Sequence, residues 1–411
     1  MLELLEEGVM LFVLLFLTLT SCLTFLKING GGLQATSFLP LFFSITLTVG
    51  VLGFNVFTFS YEMPFMLGDN LAVSEFISAA SFFFTVTISY IFGVLLAKFF
   101  IKNKYSALHF NFSIPSYFEC ILVVLPAFFL VSAYGMDNLM YRGEYIPENI
   151  QAFKFLGKVT SMIILLFLHN MFKSRLAISF VYLMYFLIFL SYGTRMMAVL
   201  PLCYFISYSY FSSKKAGLLR LVMAIALSLL LGALALQVRR LGFHGLLPYL
   251  NNIFEYGINF DLLMVSVNYL TSFSYSLTAY LNSNIHYNVN DFYISIHPLS
   301  GSDVGWRQHS ELLRVNKYVP YNAISELASM GGGVLSSYFL IAGFCLKYVE
   351  IKASKLGLVG IAFSFCVCVL FTMECLQYNL RSATRILYYS LLSAMLIVFF
   401  YQFKKFLPNK V

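Results

Sequence analysis

Long apolar runs separated by short polar connections recur along the whole chain, and they constrain its fold more than any other feature. A membrane-spanning helix needs about 20 mostly apolar residues. Because 60% of the residues are hydrophobic and only 11% are charged, a water-soluble globule of 411 residues would lack polar surface. Backbone groups in lipid must be paired internally, so the sequence predicts an all-α polytopic membrane protein with about 11 transmembrane helices. The predicted spans are 8–26, 37–57, 78–101, 117–133, 155–172, 176–192, 196–211, 217–236, 334–349, 356–373 and 386–400.

The connection at 237–333 is the longest stretch that a bilayer could not hold. We predict one integral membrane domain over 1–411, with 237–333 as a large, partly helical loop. Within that loop, 246–281 is apolar enough to form helices that lie on or dip into the membrane. The tight connections at 173–175 and 193–195 either join two spans or kink one.

Charge predicts the orientation of the chain. If alternate connections are cytoplasmic, 13 of the 16 lysines fall on that side and almost every carboxylate falls on the other, with Glu350 the clear exception. The positive-inside bias then places the N-terminus and the long loop outside and the C-terminus in the cytoplasm. The net charge of +8 does not indicate nucleic acid, since the cations are dispersed between hydrophobic spans.

The arginines do not follow the lysines, because eight of the ten fall on the outer side. Guanidinium holds phosphate or carboxylate oxygens through a planar fork and keeps its charge when partly desolvated. We therefore expect a ligand with an acidic, phosphate-bearing headgroup, unless these arginines pair with outer carboxylates or lipid phosphates. The outer arginines are Arg142, Arg195, Arg239, Arg240, Arg307, Arg314, Arg381 and Arg385.

Three outer connections besides the long loop contain arginines that sit close to spans. Arg195 lies between two apolar runs with scarcely any loop to lift it into water, so it needs a partner, a wet cavity or a route to the headgroups. Arg381 and Arg385 share one face if the last span begins early. Together with Arg142 they are predicted to converge on one pocket.

No familiar hydrolase, nucleotide-binding or metal signature occurs in the sequence. We predict no metal and no cofactor. The first outer connection, 59–75, contains Glu62, Asp69 and Glu75 but no adjacent acidic pair, which weakens the case for a metal-dependent transferase.

Taken together, these features resemble bacterial O-antigen polymerases of the Wzy type. The resemblance rests on about 11 spans, one large outer loop, Gly193-Thr194-Arg195 at a span boundary, and Pro320-Tyr321-Asn322 with Glu326 running into three glycines at 331–333. It implies an inverting, metal-independent GT-C-like glycosyltransferase of the bacterial inner membrane. Its substrates would be undecaprenyl-diphosphate-linked oligosaccharides, with membrane lipids and a chain-length regulator protein as partners.

The resemblance also implies roles for individual residues. Arginines stabilise the diphosphate leaving group, with Arg195 the main candidate and Arg142, Arg381, Arg385, Arg239 and Arg240 beside it. The candidates for a general base are His297, His309, Glu311 and Glu326. Either histidine could instead be a solvated loop residue, and Glu326 could cap or pair structurally. Further substrate contacts are assigned to Arg307, Arg314, Tyr321 and Asn322.

Other transmembrane functions stay open. An O-antigen ligase shares the spans, loop and arginines, but its loop His followed after ten residues by Gly has no match. A flippase would have shorter loops and internal repeats, and an O-acyltransferase would carry His and Arg near its N-terminal spans. The long loop is thus interpreted as a lid and acceptor guide over a phosphate-binding cavity, with 297–333 its most informative part.

Overall fold

The computed structural model describes residues 2–28, 34–55, 71–101, 116–144, 150–211, 218–239, 241–257, 273–299, 301, 303–316 and 319–406. Within these residues the fold is helical, with one small antiparallel hairpin. In the hairpin, β1 (Arg314–Asn316) pairs with β2 (Val319–Pro320). The chain is therefore an all-α protein, as the apolar runs predicted.

The helices are numbered in chain order. The first ten are α1 (Leu2–Ile28), α2 (Phe38–Asn55), α3 (Val73–Phe100), α4 (Ser116–Tyr134), α5 (Met136–Met140), α6 (Gln151–Met171), α7 (Arg175–Ser191), α8 (Leu200–Phe211), α9 (Leu218–Arg239) and α10 (Leu246–Tyr256). The others are α11 (Phe273–Asn284), α12 (Val289–Ile296), α13 (Trp306–Leu312), α14 (Ala323–Ser329), α15 (Gly332–Ala353), α16 (Leu358–Gln377) and α17 (Leu380–Phe406). Short 3-10 helices cover Ala35–Ser37, Arg195–Val199 and Ser354–Leu356.

Each predicted span overlaps a described helix. Five described helical segments are long and apolar enough to cross a membrane: Glu7–Ile28, Ala35–Leu52, Val73–Phe100, Gly332–Leu356 and Leu380–Phe399. The apolar parts of α4, α6, α7, α8, α9 and α16 are shorter, so a total of eleven crossings stays a prediction. Both tight connections separate two helices rather than kink one, since α6 ends at Met171 before Ser174 caps α7, and Gly193 turns with a φ of +60° after α7.

The chain forms two compact units, which are described separately. Unit 1 comprises Met1–Phe110 and Thr271–Val411, and unit 2 comprises Asn111–Leu270. In unit 1, α3 and α15 approach so closely that only glycine fits between them. A Cβ added to Gly93 would lie 2.0 Å from the Leu340 carbonyl oxygen, and one added to Gly343 would lie 2.3 Å from that of Tyr90. This contact forms the centre of the unit 1 core.

Helix α11 is part of that core. The Tyr275 ring packs on Phe76 and Phe83, its hydroxyl donates to the Phe76 carbonyl at 3.0 Å, and Gly50 leaves room for the ring. The sequence predicted helices on or dipping into the membrane here. Within unit 1, α11 packs against α2, α3 and α14, and its depth relative to a bilayer stays a prediction.

Unit 1 has two chemically different ends, separated by the length of α15. At the lysine end, Glu350 accepts from the Thr36 hydroxyl at 2.7 Å and lies 3.2 Å from Lys347 Nζ, which also donates to Gln34. The one carboxylate that broke the predicted charge sorting is therefore neutralised locally. At the other end, called the acidic end, Ser283 donates to Glu75 and the backbone of Leu380 donates to Glu326.

Unit 2 is held by buried tyrosines that satisfy carbonyls across helices. Tyr185, within α7, and Tyr192, just after its last residue, donate to the carbonyls of Val123 and Leu130 on α4 at 2.8 and 2.7 Å. On α6, Gly157 lets Leu130 approach closely, since a Cβ there would lie 2.7 Å from Leu130 Cγ. These contacts fix the end of α7 from which the Gly193 turn departs.

Candidate functional site

Asn322 anchors the segment that carries the site. Its Oδ1 accepts from the Ser325 N–H at 2.8 Å and caps α14, while its Nδ2 donates to Thr278 Oγ1 at 2.9 Å on α11. Its side chain is fully buried. Both ends of this amide are used within the fold, so the contacts of Asn322 point to scaffolding, and its predicted contact with substrate stays a prediction.

Glu326 lies one turn further along α14 and is 0% exposed. Its Oε2 accepts from the Leu380 N–H at 2.9 Å, at the start of α17, and the Tyr287 hydroxyl lies within hydrogen-bonding reach of the same carboxyl. Burial raises the pKa of this carboxyl to about 8, the Leu380 N–H opposes the rise, and the charge of Asp291 adds to it. Glu326 therefore holds a proton over most of the neutral range, and its pKa suits acid–base chemistry.

Three hydroxyl groups lie buried around or beside Glu326: those of Tyr287, Ser295 and Ser325. Burial raises the pKa of Tyr287, and the nearby negative charge of the Glu326 carboxylate raises it further. The Tyr287 hydroxyl is within hydrogen-bonding reach of both Glu326 and Ser295, although the angles are not those of a normal hydrogen bond. Buried polar groups in proteins are nearly always paired, and these groups lie close enough to pair with one another.

Asp291 and His309 form a close pair at the same end. His309 Nε2 lies 3.3 Å from Asp291 Oδ1, and both side chains are largely buried, at 13% and 12% exposure. Asp291 is held in place because its Oδ2 accepts from the Asn288 N–H at 2.8 Å, within the capping box of α12. The Trp306 ring packs against the imidazole in a tilted arrangement, with 5.7 Å between the ring centroids.

Arg381 ties α17 to the segment above it and is 1% exposed. Its Nη1 donates to the carbonyls of Ile294 and His297, its Nη2 donates to that of Leu299 at 2.6 Å, and its guanidinium carbon lies 5.2 Å from the centre of the Trp306 ring. Its Nε has no partner among the described residues. One edge of the fork thus keeps a free buried donor.

Arg385 lies one turn along the same helix. Its Nη2 reaches the Leu299 carbonyl at 3.4 Å, and its buried Nε likewise finds no partner in the described ranges. The positive charge of Arg385 acts on Arg381, and neither forms an ion pair with a described carboxylate. Two neighbouring guanidiniums without a counter-charge are a favourable site for an anion with several oxygens.

The remaining predicted residues of unit 1 lie at the rim or in the fold. The exposed His297 ring accepts from the Leu299 N–H at 3.3 Å, and the exposed Arg314 donates through Nε to the Ser310 carbonyl at 3.1 Å. Tyr321 is buried in a small cluster with Leu313. Arg307 lies on α13, but its side chain is outside the described part of the structure.

The predicted arginines of unit 2 surround the turn at Gly193. Arg142 is 5% exposed and donates through Nη1 to the carbonyls of Asn138 and Ser191, both at 2.9 Å, and through Nε to that of Glu144. Arg239 Nε donates to the Gly193 carbonyl at 2.9 Å. These two arginines therefore hold the turn that carries Arg195.

Arg195 itself begins the 3-10 helix that Thr194 caps, and its side chain lies outside the described residues, as does all of Arg240. The structure thus groups the arginines in two sets, one in each unit. Their convergence on one pocket stays a prediction. Within the described residues, no group of three or more His, Cys, Asp or Glu side chains is arranged to hold a metal ion.

Sequence reasoning did not select Asp291, Tyr287 or Trp306 as site residues. The spacing Asn288-x-x-Asp291 is a capping box and could have placed the start of α12. Nothing in the sequence links Asp291 to His309, 18 positions later, because that contact depends on how α12 and α13 fold over α17. No protein family, curated protein or solved structure matches the chain, so the chemistry of the site rests on its own residues.

Proposed function

We propose that this protein is a membrane glycosyltransferase of the O-antigen polymerase kind. It moves a growing glycan from undecaprenyl diphosphate onto the terminal sugar of an undecaprenyl-diphosphate-linked repeat unit, with inversion and without a metal or other cofactor. The proposal rests on Arg381 and Arg385, two guanidiniums that form no ion pair with a carboxylate among the described residues. Both follow Leu380, whose N–H donates to Glu326, at the start of α17.

The arginine pair suits a diphosphate leaving group. As the glycosidic bond breaks, negative charge develops on the diphosphate oxygen, and donors already aimed at that position lower the barrier. The Nε donors of Arg381 and Arg385 have no partner among the described residues, and Arg381 is immobilised by three carbonyls. A donor fixed in this way reorganises little during the reaction.

The proposal also includes a group that can handle a proton. A sugar hydroxyl loses its proton on attack, and a side chain with a pKa near the working pH accepts it best. Glu326 and His309 both lie at the acidic end of unit 1 and both are base candidates under the resemblance, but Glu326 already holds a proton over most of the neutral range, which favours His309. Arg195 remains a proposed contact of the diphosphate leaving group on the resemblance alone.

In this proposal the acidic end faces the periplasm and the lysine end the cytoplasm, in a bacterial inner membrane crossed about 11 times. The N-terminus is then periplasmic and the C-terminus cytoplasmic. The buried pairing of Glu350 with Lys347 supports this assignment, since it removes the one carboxylate that opposed the charge bias. A chain-length regulator protein is the proposed protein partner.

The test is the glycan pattern of a strain that lacks this protein and is complemented with variants. Arg385→Lys keeps the charge but loses the fork, and we expect glycan of a single repeat unit, whereas the exposed Arg175→Lys restores the full ladder. Long glycan on undecaprenyl diphosphate with none on lipid A in the null strain would instead indicate a ligase. Repeat units retained on the inner leaflet would indicate a flippase.

A further inference from the structure

The Asp291–His309 pair has a geometry that distinguishes the two ring nitrogens. Nε2 is buried and lies 3.3 Å from Asp291 Oδ1, a close charge contact without the geometry of a hydrogen bond. Nδ1 makes no hydrogen bond to a described residue and, unlike Nε2, is not fully buried. A negative carboxylate this close to one nitrogen of an imidazole favours a proton on that nitrogen and leaves the other nitrogen as the base.

The Asp291 carboxylate is itself fixed before any ligand binds. Its second oxygen is held by the backbone of Asn288, so the residue cannot turn away from His309 without opening the cap of α12. On the other side, Trp306 packs against the imidazole and Arg381 stacks on Trp306. The ring is therefore held between a carboxylate and an indole that is connected to the arginine pair.

The surrounding charges are also consistent with a single carboxylate acting on His309. Glu326 is the other buried carboxyl that senses Asp291, and burial raises its pKa to about 8. A proton retained on Glu326 leaves Asp291 as the negative group next to the imidazole and keeps repulsion of an incoming anion low. Tyr287 stays neutral because burial raises its pKa as well.

We propose that Asp291 is a positioning residue that holds His309 through Nε2, so that Nδ1 accepts the proton of the attacking sugar hydroxyl. This inference rests on the proposed function and assigns its base. The hydroxyl oxygen forms a bond to the anomeric carbon of the donor as its proton passes to Nδ1. The bond from that carbon to the diphosphate oxygen breaks, and the electron pair leaves with the diphosphate. His309 then returns the proton to water.

The kinetic test compares two variants of the purified full-length protein, each of which perturbs the α12 cap. Asp291→Asn keeps an oxygen for the cap but removes the charge that faces His309, whereas Asn288→Ala weakens the same cap and leaves the pair intact. We expect kcat to fall about 100-fold in Asp291→Asn and less than about twofold in Asn288→Ala, with KM unchanged in both. Equal losses in the two variants would overturn the proposal.

A second measurement needs no substrate. In the protein labelled with ¹⁵N-histidine, the signal that disappears in His309→Gln reports the tautomer of His309. We expect a proton on Nε2 and none on Nδ1 in the neutral wild-type ring, and a mixture of tautomers in Asp291→Asn. Identical spectra would overturn the positioning role. A wild-type protein that forms no polymer would refute the proposed function and the role of Nδ1, while the tautomers would still decide whether Asp291 positions His309.

Discussion

Glu326 accepts a 2.9 Å hydrogen bond from the backbone N–H of Leu380, and this bond joins the helix before the Gly331 turn to the first turn of α17. The free N–H groups at the start of a helix favour a negative oxygen. The same carboxyl is fully buried, and burial favours the protonated form. Burial has the larger effect on the pKa of Glu326, so the stability of the acidic end depends on pH.

The first prediction concerns stability in Glu326→Gln. The pKa of Glu326 is raised from its ordinary 4.5 to about 8, so the unfolded chain loses the proton first as pH rises. Wild-type stability contributed by this group is complete below about pH 4.5 and declines as the pH approaches 8. Gln cannot ionise, and the unfolding temperature of the variant should vary less across this window. The exposed Glu311→Gln is the control and should follow wild type.

Arg381→Lys should reduce both order and ligand binding at the acidic end. Lysine has no planar fork, so it cannot serve the carbonyls of Ile294, His297 and Leu299 together. We expect faster hydrogen exchange across α12 and the segment to residue 299. Arg385→Lys makes fewer contacts and should leave exchange unchanged while weakening diphosphate binding. Unchanged exchange in Arg381→Lys would contradict the clamping role.

Gly93→Ala and Gly343→Ala should each destabilise unit 1 by about 2 kcal/mol or more, because an added Cβ overlaps a backbone carbonyl that cannot rotate away. Gly333→Ala serves as the matched control, because Gly333 lies on α15 like Gly343 and no atom lies within 4 Å of a Cβ added there. Thermal denaturation in detergent measures the difference. Equal midpoints for Gly93→Ala and Gly333→Ala would contradict the close approach of α3 and α15.

Arg142→Lys tests whether this arginine supports the fold or binds the ligand. The structure has its guanidinium donating to three backbone carbonyls, including that of Ser191 before the Gly193 turn. We expect lower thermal stability and transfer activity that falls only with the amount of folded protein. Arg175→Lys, at an exposed position, should match wild type. Full stability combined with lost activity would instead favour the predicted role in diphosphate binding.

The sequence allowed the helices to be predicted because each apolar run is long enough to be read without tertiary information. Even the short breaks at 172–174 and 192–194 carry local signals, Ser174 as a cap and Gly193 at positive φ. The position of α11 could not be predicted in the same way. Its place in the core depends on Gly50, more than 200 positions earlier in the chain, which makes room for Tyr275.

The candidate site shows the same division. Arg381 and Arg385 were selected by their charge next to an apolar span, whereas Glu326 and His309 were selected through the resemblance to O-antigen polymerases. Asp291 was missed because its importance comes from a 3.3 Å contact with His309 across two helices. The arginines of unit 2 were selected by charge, yet Arg142 and Arg239 donate to backbone carbonyls that a sequence does not display.

The most direct test of the proposed function uses the purified protein in lipid nanodiscs with a synthetic undecaprenyl-diphosphate-linked repeat unit and excess EDTA. We expect a ladder of glycans in whole-number multiples of the repeat unit, with one undecaprenyl diphosphate released for each bond formed. The ladder should be lost in Arg385→Lys. A wild-type reaction that yields only the single repeat unit, or that yields polymer only when a divalent cation is supplied, would contradict the proposal.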